Sequence, residues 1–443
     1  MNNNNASANP GRFGMQLARP LALLVLSGMF LAQPLLALDT DFEVEVVAFY
    51  SDNVTRVDPS RDIDGVVTTA GFTLNLEEQS RRLDLIAHGG LLFATFPGST
   101  FDDETLGLVT ASALIRISEQ NFSWFFAENL GQVVINPFQA ETPDNRESMN
   151  FFTTGPRLSL PLGSRTKLNL EGNFSDVQYE ERPLDNQRFG GSIGFERELS
   201  RNRSLSFIVD GERIEYDDAP PNAPVDQQSA YLRLQTAAAR SQLSLSLGWN
   251  QVERAGNKGD GLLAELEWSR QVSAISTFSF HFGTRFSDVG DIFRFIQSID
   301  SRRAGTQDIQ TVNDPFQLDT VSIAYTLNKP RTRLSIDAFY EKENYESRTD
   351  LDRDRSGIKL DLTRNLTRSL NATLFTNLSY RDYDNTTRND DDSIYGFRLR
   401  WDISHRLGLN LTVQRIERDS SDALFNYVEK RASLSLLFRS GQK

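Results

Sequence analysis

The sequence predicts an all-β protein, a transmembrane antiparallel up-and-down β-barrel with an even strand number of roughly 16 to 20. Three observations predict it. After residue 40, apolar and polar residues alternate repeatedly, the pattern of a strand with two unlike faces. The polar links between these stretches alternate between short and long. Beyond residue 38 there is no apolar run of about 20 residues that could cross a bilayer as a helix.

The N-terminus reads as an address. Arg12 and Arg19 precede the apolar run 21–32, and Gln33-Pro34-Leu35-Leu36-Ala37 then offers a small residue for a signal peptidase. Charged, apolar and cleavable segments in this order make a secretory signal. The expected division is a signal peptide over residues 1–37 and an outer-membrane barrel over 38–443. A retained membrane anchor is the other reading of the same segment.

The alternation is plain in individual segments. Leu168, Leu170 and Phe174 share one face while Asn169, Glu171 and Asn173 share the other. Residues 243–249 place Leu243, Leu245, Leu247 and Trp249 against Ser and Gly. Tyr395, Phe397, Leu399, Trp401 and Ile403 oppose Arg398, Arg400 and Asp402. Residues 370–380 repeat the pattern, with Phe375 on the polar face.

The links set the architecture. Short ones fall at 77–81, 118–121, 163–165, 200–203, 238–241, 270–274, 328–332, 364–368 and 404–406. Long ones fall at 51–62, 97–104, 136–147, 180–187, 216–228, 251–260, 288–317, 343–355, 381–392 and 418–423. Together they delimit 20 candidate strands. Such a chain starts and ends on one side, as barrels with short periplasmic turns and long outer loops do. Closure follows, because an open edge would leave backbone donors in lipid. A soluble antiparallel sandwich would pack its second face; here that face is charged or small, which suits a wet lumen. The final strand, 427–438, ends on Phe438, which resembles the assembly signal of outer-membrane proteins.

Composition narrows the function. There is no Cys and there are only three His, widely spaced, so thiolate chemistry and a multi-His metal site are not expected. The net charge of −13 argues against nucleic acid. No cofactor is expected. His281 and His405 lie far apart and no G-x-S-x-G occurs, so the chain is read as a non-enzyme, with a barrel hydrolase the least favoured alternative.

Alternation nominates lumen residues: Glu171, Asp210, Glu212, Glu265, Glu267, Asp337, Glu341, Arg398, Arg400, Asp402, Glu429 and Arg431. They form either a solvated wall of paired charges or a selectivity field. Phe339 and Phe375 also point inward on this pattern; a polysaccharide conduit would use such rings for sugar stacking. In the longest link, Ile292, Phe295, Ile296 and Ile299 fall at i, i+3, i+4 and i+7, a short amphipathic helix. It either folds into the mouth as a constriction or lies over the rim. Asp350, Asp352 and Asp354 are spaced like a calcium loop, yet Arg355 stands where that loop needs Gly. Solvated loop charge is the plainer reading, and divalent bridging to lipopolysaccharide phosphates the other.

Tyr50-Ser51-Asp52-Asn53, with the hairpin 71–76 and 81–85, resembles the first strands of an outer-membrane β-barrel family found beside exopolysaccharide and exosortase (PEP-CTERM) genes. The resemblance implies an outer-membrane location and a link to exopolysaccharide secretion. It brings exopolysaccharide and periplasmic export partners into view beside outer-membrane lipids and lipopolysaccharide, and it carries no catalytic residues. The function expected is therefore a pore, porin-like or an exopolysaccharide conduit. The alternative is a structural or adhesive barrel with a plugged lumen.

Overall fold

A computed structural model describes residues 38–440 except 59, 97, 99, 119, 218–222 and 300–311. The expected signal peptide, 1–37, lies outside the described residues. The first ten strands are β1 (Asp39–Ser51), β2 (Gly65–Gln79), β3 (Leu83–Thr95), β4 (Glu104–Ser118), β5 (Phe122–Val134), β6 (Arg146–Pro161), β7 (Thr166–Tyr179), β8 (Asn186–Ser200), β9 (Arg203–Tyr216) and β10 (Val225–Ala238). The second ten are β11 (Ser241–Arg254), β12 (Asn257–Ser273), β13 (Ser276–Ser287), β14 (Phe316–Lys329), β15 (Thr332–Tyr345), β16 (Arg353–Asn365), β17 (Leu370–Tyr383), β18 (Asn389–Asp402), β19 (Leu407–Ser420) and β20 (Tyr427–Arg439). One α-helix, α1 (Val289–Ile299), interrupts the series between β13 and β14.

Each strand pairs antiparallel with its sequence neighbours. β1 closes onto β20, with Glu43 opposite Arg439 and Ser51 opposite Arg431. The sheet is thus a closed 20-strand barrel, which leaves no edge for water or lipid to satisfy.

The two faces differ as hydrocarbon and water require. Leu91 (60 % exposed), Ile193, Leu247 and Leu374 stand outside. Their alternate neighbours point in. Burying such an outer face in lipid is favourable by roughly 25 cal/mol per Å² of apolar surface, which is why register is fixed. A slip of one residue would turn every Leu into the lumen and every Glu into the membrane.

The strands run from 12 to 17 residues, longer than the roughly 9–11 a tilted span needs. The surplus stands beyond the membrane at the long-link end. There even outward positions become charged: Arg213 pairs with Glu215 and Asp226, and Lys258 with Glu253.

This surplus corrects one reading of the sequence. Residues 251–260 look like a long loop because they are polar. In the structure Gln251 pairs with Asp260 and Glu253 with Lys258, and only Ala255 and Gly256 turn, both at positive φ (51° and 84°). Two such residues in succession make the hairpin turn that matches strand twist. Polar composition marked the end of the membrane there, not the end of the strand.

Candidate functional site

The register places Glu171, Asp210, Glu212, Glu265, Glu267, Asp337, Phe339, Glu341, Phe375, Arg398, Arg400, Asp402, Glu429 and Arg431 on the inner face. Glu171 lies opposite Arg157, Asp210 opposite Ser229, and Glu267 opposite His281. Arg398 lies opposite Thr412 and Arg400 opposite Asn410. Most of these groups meet a partner. Arg157 donates to Glu171 at 2.7 Å, Ser229 to Asp210 at 2.7 Å, and Ser335 to Asp337 at 3.1 Å. Arg285 pairs with Glu265 at 3.4 Å, Arg355 with Glu341 at 3.3 Å, and Arg400 with Asp402 at 3.3 Å. Glu429 is fully buried between Arg56 and Arg431. The wall is a mosaic of pairs, not a ring of one sign.

Phe339 and Phe375 face inward, and each lies beside a glycine and an arginine. Phe375 lies against Gly396, where a Cβ would come within 2.0 Å of the ring. The Arg398 guanidinium sits 5.3 Å over it. Phe339 lies likewise against Gly357, with Arg355 at 5.0 Å from its centroid. In each case the tip of the ring abuts the glycine and a guanidinium lies within cation–π range of the ring. These rings position arginines at the water boundary through cation–π contact.

The segment after β13 folds inward. Phe293 of α1 is fully buried in a cluster with Val133, Met149, Phe151, Val177, Tyr179 and Val289. Those strand residues belong to the inner wall of β5, β6 and β7, so α1 reaches from β13 across the lumen to that wall. Ile292 packs both on this cluster and on a second one of Phe316, Tyr345 and Leu351. The rim placement of the helix is therefore excluded in this structure. Of the expected apolar face only the Ile292 side chain is described, and Phe293, off that face, is fully buried beside it. The helix is gripped from more than one side, so a single stripe does not describe its packing. The side chains of residues 295–299 lie outside the described residues.

A buried charge cluster fixes the start of α1. Arg188 is 1 % exposed and donates to both Asp288 oxygens at 2.8 and 2.9 Å. It also pairs with Glu212 at 3.3 Å. Asp288 in turn accepts from the Gly290 and Asp291 amides at 2.7 and 3.2 Å, the N-cap that free helical N–H groups require. At Gly290 a Cβ would meet Arg188 at 2.4 Å and Phe151 at 2.8 Å, so only glycine allows this approach. Glu212, Asp288 and Asp291 bring carboxylate oxygens within 4.8 Å of one another. Arg188 and Arg294 supply the counter-charge there, as guanidinium forks can.

A second segment crosses the mouth. Residues 136–145 form a compact link held together by Asn145, whose amide donates to the Asn136 and Ala140 carbonyls at 2.9 and 3.0 Å. Three arginines dock its backbone from the far side. Arg388 donates to the Phe138 carbonyl at 2.8 Å, Arg418 to Gln139 at 3.3 Å, and Arg56 to Glu141 at 2.7 Å. Phe138 packs on Tyr383 with centroids 5.0 Å apart. Arg388 itself stacks 3.8 Å over Phe425 and is held by both oxygens of Asp390. Sequence reading treats residues 136–147 as an ordinary long link; nothing local in Asn136-Pro137-Phe138 shows partners some 250 residues away.

Two cavities among the described residues lie along the inner wall. One, of about 1190 Å³, runs from Ile292 past Glu267, His281 and Thr320 to the turn after β8. The other, of about 1020 Å³, is lined by β1 to β4 and includes Asp41, Glu45, His88 and Arg56. Of the residues in the calcium-like spacing, Asp350 pairs with Arg348, Asp352 accepts from the Tyr345 amide, and Asp354 pairs with Lys342. The Arg348 hydrogen bond holds the Asp350 carboxyl below its usual range.

A family described as "Putative beta-barrel porin 2" matches residues 321–440, which cover most of β14 and all of β15 to β20. A comparison with curated proteins gives no match. Among solved structures the chain is similar to the ferric enterobactin receptor PfeA of Pseudomonas aeruginosa, at 9 % identity and a TM-score of 0.47, over 91 % of this chain and 80 % of that one. It is similar to the FrpB iron transporter of Neisseria meningitidis at 10 % identity and a TM-score of 0.46, over 91 % and 82 %. It is also similar to OccK2 (OpdF) of Pseudomonas aeruginosa, solved with glucuronate, at 11 % identity and a TM-score of 0.40, over 92 % and 98 %. The chain is a closed 20-strand antiparallel β-barrel whose last strands match a family described as porins.

Proposed function

We propose that the protein is an outer-membrane pore for small hydrophilic solutes, narrowed at its outer mouth by α1 and by residues 136–145. The observation that carries this reading is the seat of Phe293 on the inner wall, with Arg188 and Asp288 locking the helix start. A helix fixed across a polar lumen restricts size while leaving wet paths beside it. The mosaic of inner charges suits neutral or zwitterionic solutes better than ions of one sign. The finer expectation, an exopolysaccharide conduit, gains little from Phe339 and Phe375, because each ring already holds an arginine within cation–π range. A polymer would also need α1 and the 136–145 segment to move aside. Planar-bilayer recording tests the reading: the wild-type chain should give small, stable steps, and deletion of residues 289–313 should enlarge them severalfold. Equal conductance with and without the deletion would refute the constriction, and a silent bilayer for both would favour a plugged structural barrel.

A further inference from the structure

Ion pairs occur at both ends of the barrel, as Arg116 with Asp84, Lys167 with Glu198 and Arg439 with Glu43 show at the short-turn end, but one group of cations there stands apart. At the long-link end, Arg56, Arg188, Arg353, Arg388 and Arg418 all sit on carboxylates. At the short-turn end, Arg197, Arg270, Lys329 and Arg364, with Arg240 and Arg331 in the turns, are exposed. None of these six forms an ion pair among the described residues; Arg364 only donates to Thr332 at 2.5 Å. That is unexpected in a chain of net charge −13.

Register shows where four of them point. Arg270 lies opposite Ser241 and Phe278 and shares the outer face with Trp268, which packs on Phe278 at 5.7 Å. Arg197 lies opposite Leu205, an exposed outer residue. Lys329, Thr332 and Arg364 share one outward ladder, next to exposed Leu366. All four therefore leave the barrel on its lipid side, level with its last outward apolar residues, Leu199, Val272 and Leu366. That is headgroup depth, where Trp also gathers. They are spread over β8, β12, β14 and β16 rather than gathered in one patch, so they fit a planar anionic surface that surrounds the barrel.

We infer that this rim binds the phosphates of anionic glycerophospholipids in the periplasmic leaflet, as a selective shell of bound lipid. Long basic side chains at a membrane boundary extend their charged ends into the headgroup layer, and each contributes electrostatic attraction to anionic lipid. The rim sits on the turns that a periplasmic orientation places inward, so it also fixes which way up the barrel rests.

The test uses the whole folded chain in phosphatidylcholine vesicles with about 30 mol % phosphatidylglycerol. Spin-labelled phosphatidylglycerol and phosphatidylcholine report which lipid is held at the protein surface. The rim predicts phosphatidylglycerol enrichment of roughly threefold or more, weakened by about 0.5 M NaCl. The variant R197Q/R270Q/K329Q/R364Q should abolish it, and R197K/R270K/R364K should retain it. Folding of each is checked by its heat-dependent gel mobility; should the fourfold variant not fold, R270Q alone must still lower the enrichment. Equal partition of the two lipids at the wild type, or enrichment untouched by these glutamines, overturns the inference. Tight binding of soluble acidic peptidoglycan fragments without any lipid preference overturns it too, in favour of a periplasmic polymer.

Discussion

The long-link mouth and the short-turn rim are built from the same residue type used in two ways. At the mouth, arginines are buried and each is committed: Arg188 to Asp288 and Glu212, Arg388 to Asp390 and the Phe138 carbonyl. At the rim, Arg270 and Arg364 stand exposed on the lipid side with no carboxylate partner. A buried arginine is structural because its removal strands the groups it satisfied. An exposed one leaves nothing stranded, so its role lies in what it meets outside the chain. Charge alone does not separate the two ends; burial and partnership do.

The largest test of that contrast is Arg188→Ala. It leaves buried Asp288 and partly buried Glu212 without their cation, a loss of about 3–5 kcal/mol, enough to free the start of α1. Single-channel steps should grow and become noisy, with the barrel still closed; a stable wild-type trace would break the comparison at its strongest point. Arg388→Ala should come next. It removes the Phe425 stack and the Phe138 carbonyl bond and leaves buried Asp390 with only Ser420 and Arg418 beside it, about 3 kcal/mol in all. Limited proteolysis should then cut within residues 136–145 where the wild type resists.

Acid should act on the mouth in a defined window. Burial pushes the Asp291 carboxyl up, but Arg294, Arg188 and Arg285 outweigh it and hold it below its usual range. A carboxyl depressed in the folded state stabilises fully above its unfolded value of about 3.9 and loses that contribution as pH falls through the lower folded value. Conductance should therefore hold from pH 8 to about 4 and change only in stronger acid. A transition near neutrality would mean another group controls α1. The smallest effect belongs to the rim: Arg270→Gln should shift thermal stability by no more than about 0.5 kcal/mol, measured as the loss of heat-dependent mobility. A large loss there would erase the difference between the two ends.

Much of this was legible in the sequence, for a physical reason. Hydrocarbon outside and water inside impose a period of two on every strand, so the inward placement of Glu171, Glu267 or Arg398 can be counted off from alternation. The short turns read well because each is only a few residues of Ser, Arg, Asn and Gly between apolar runs. The amphipathic helix was visible too, since Ile292 and its i+4 partner repeat within one segment. What stayed hidden depends on distance. Arg188 and Asp288 are 100 residues apart and join only because a helix crosses the lumen. Phe293 looks like the polar-side neighbour of Ile292 until a wall on its other side is known. The stretch 251–260 misled for the opposite reason: it is polar because it projects beyond the membrane, although its strands continue to pair.

The seat of α1 on the inner wall can be tested without any channel recording. The chain has no Cys, so a single one reports cleanly. Phe293→Cys, at a position with no exposed surface, should resist a water-soluble maleimide in the folded barrel. Leu424→Cys, at a position 70 % exposed, should react at once, and adding Arg188→Ala should make the cysteine at 293 react as well. If the cysteine at 293 is labelled as fast as the one at 424 in the otherwise native barrel, the helix is not seated where this account places it.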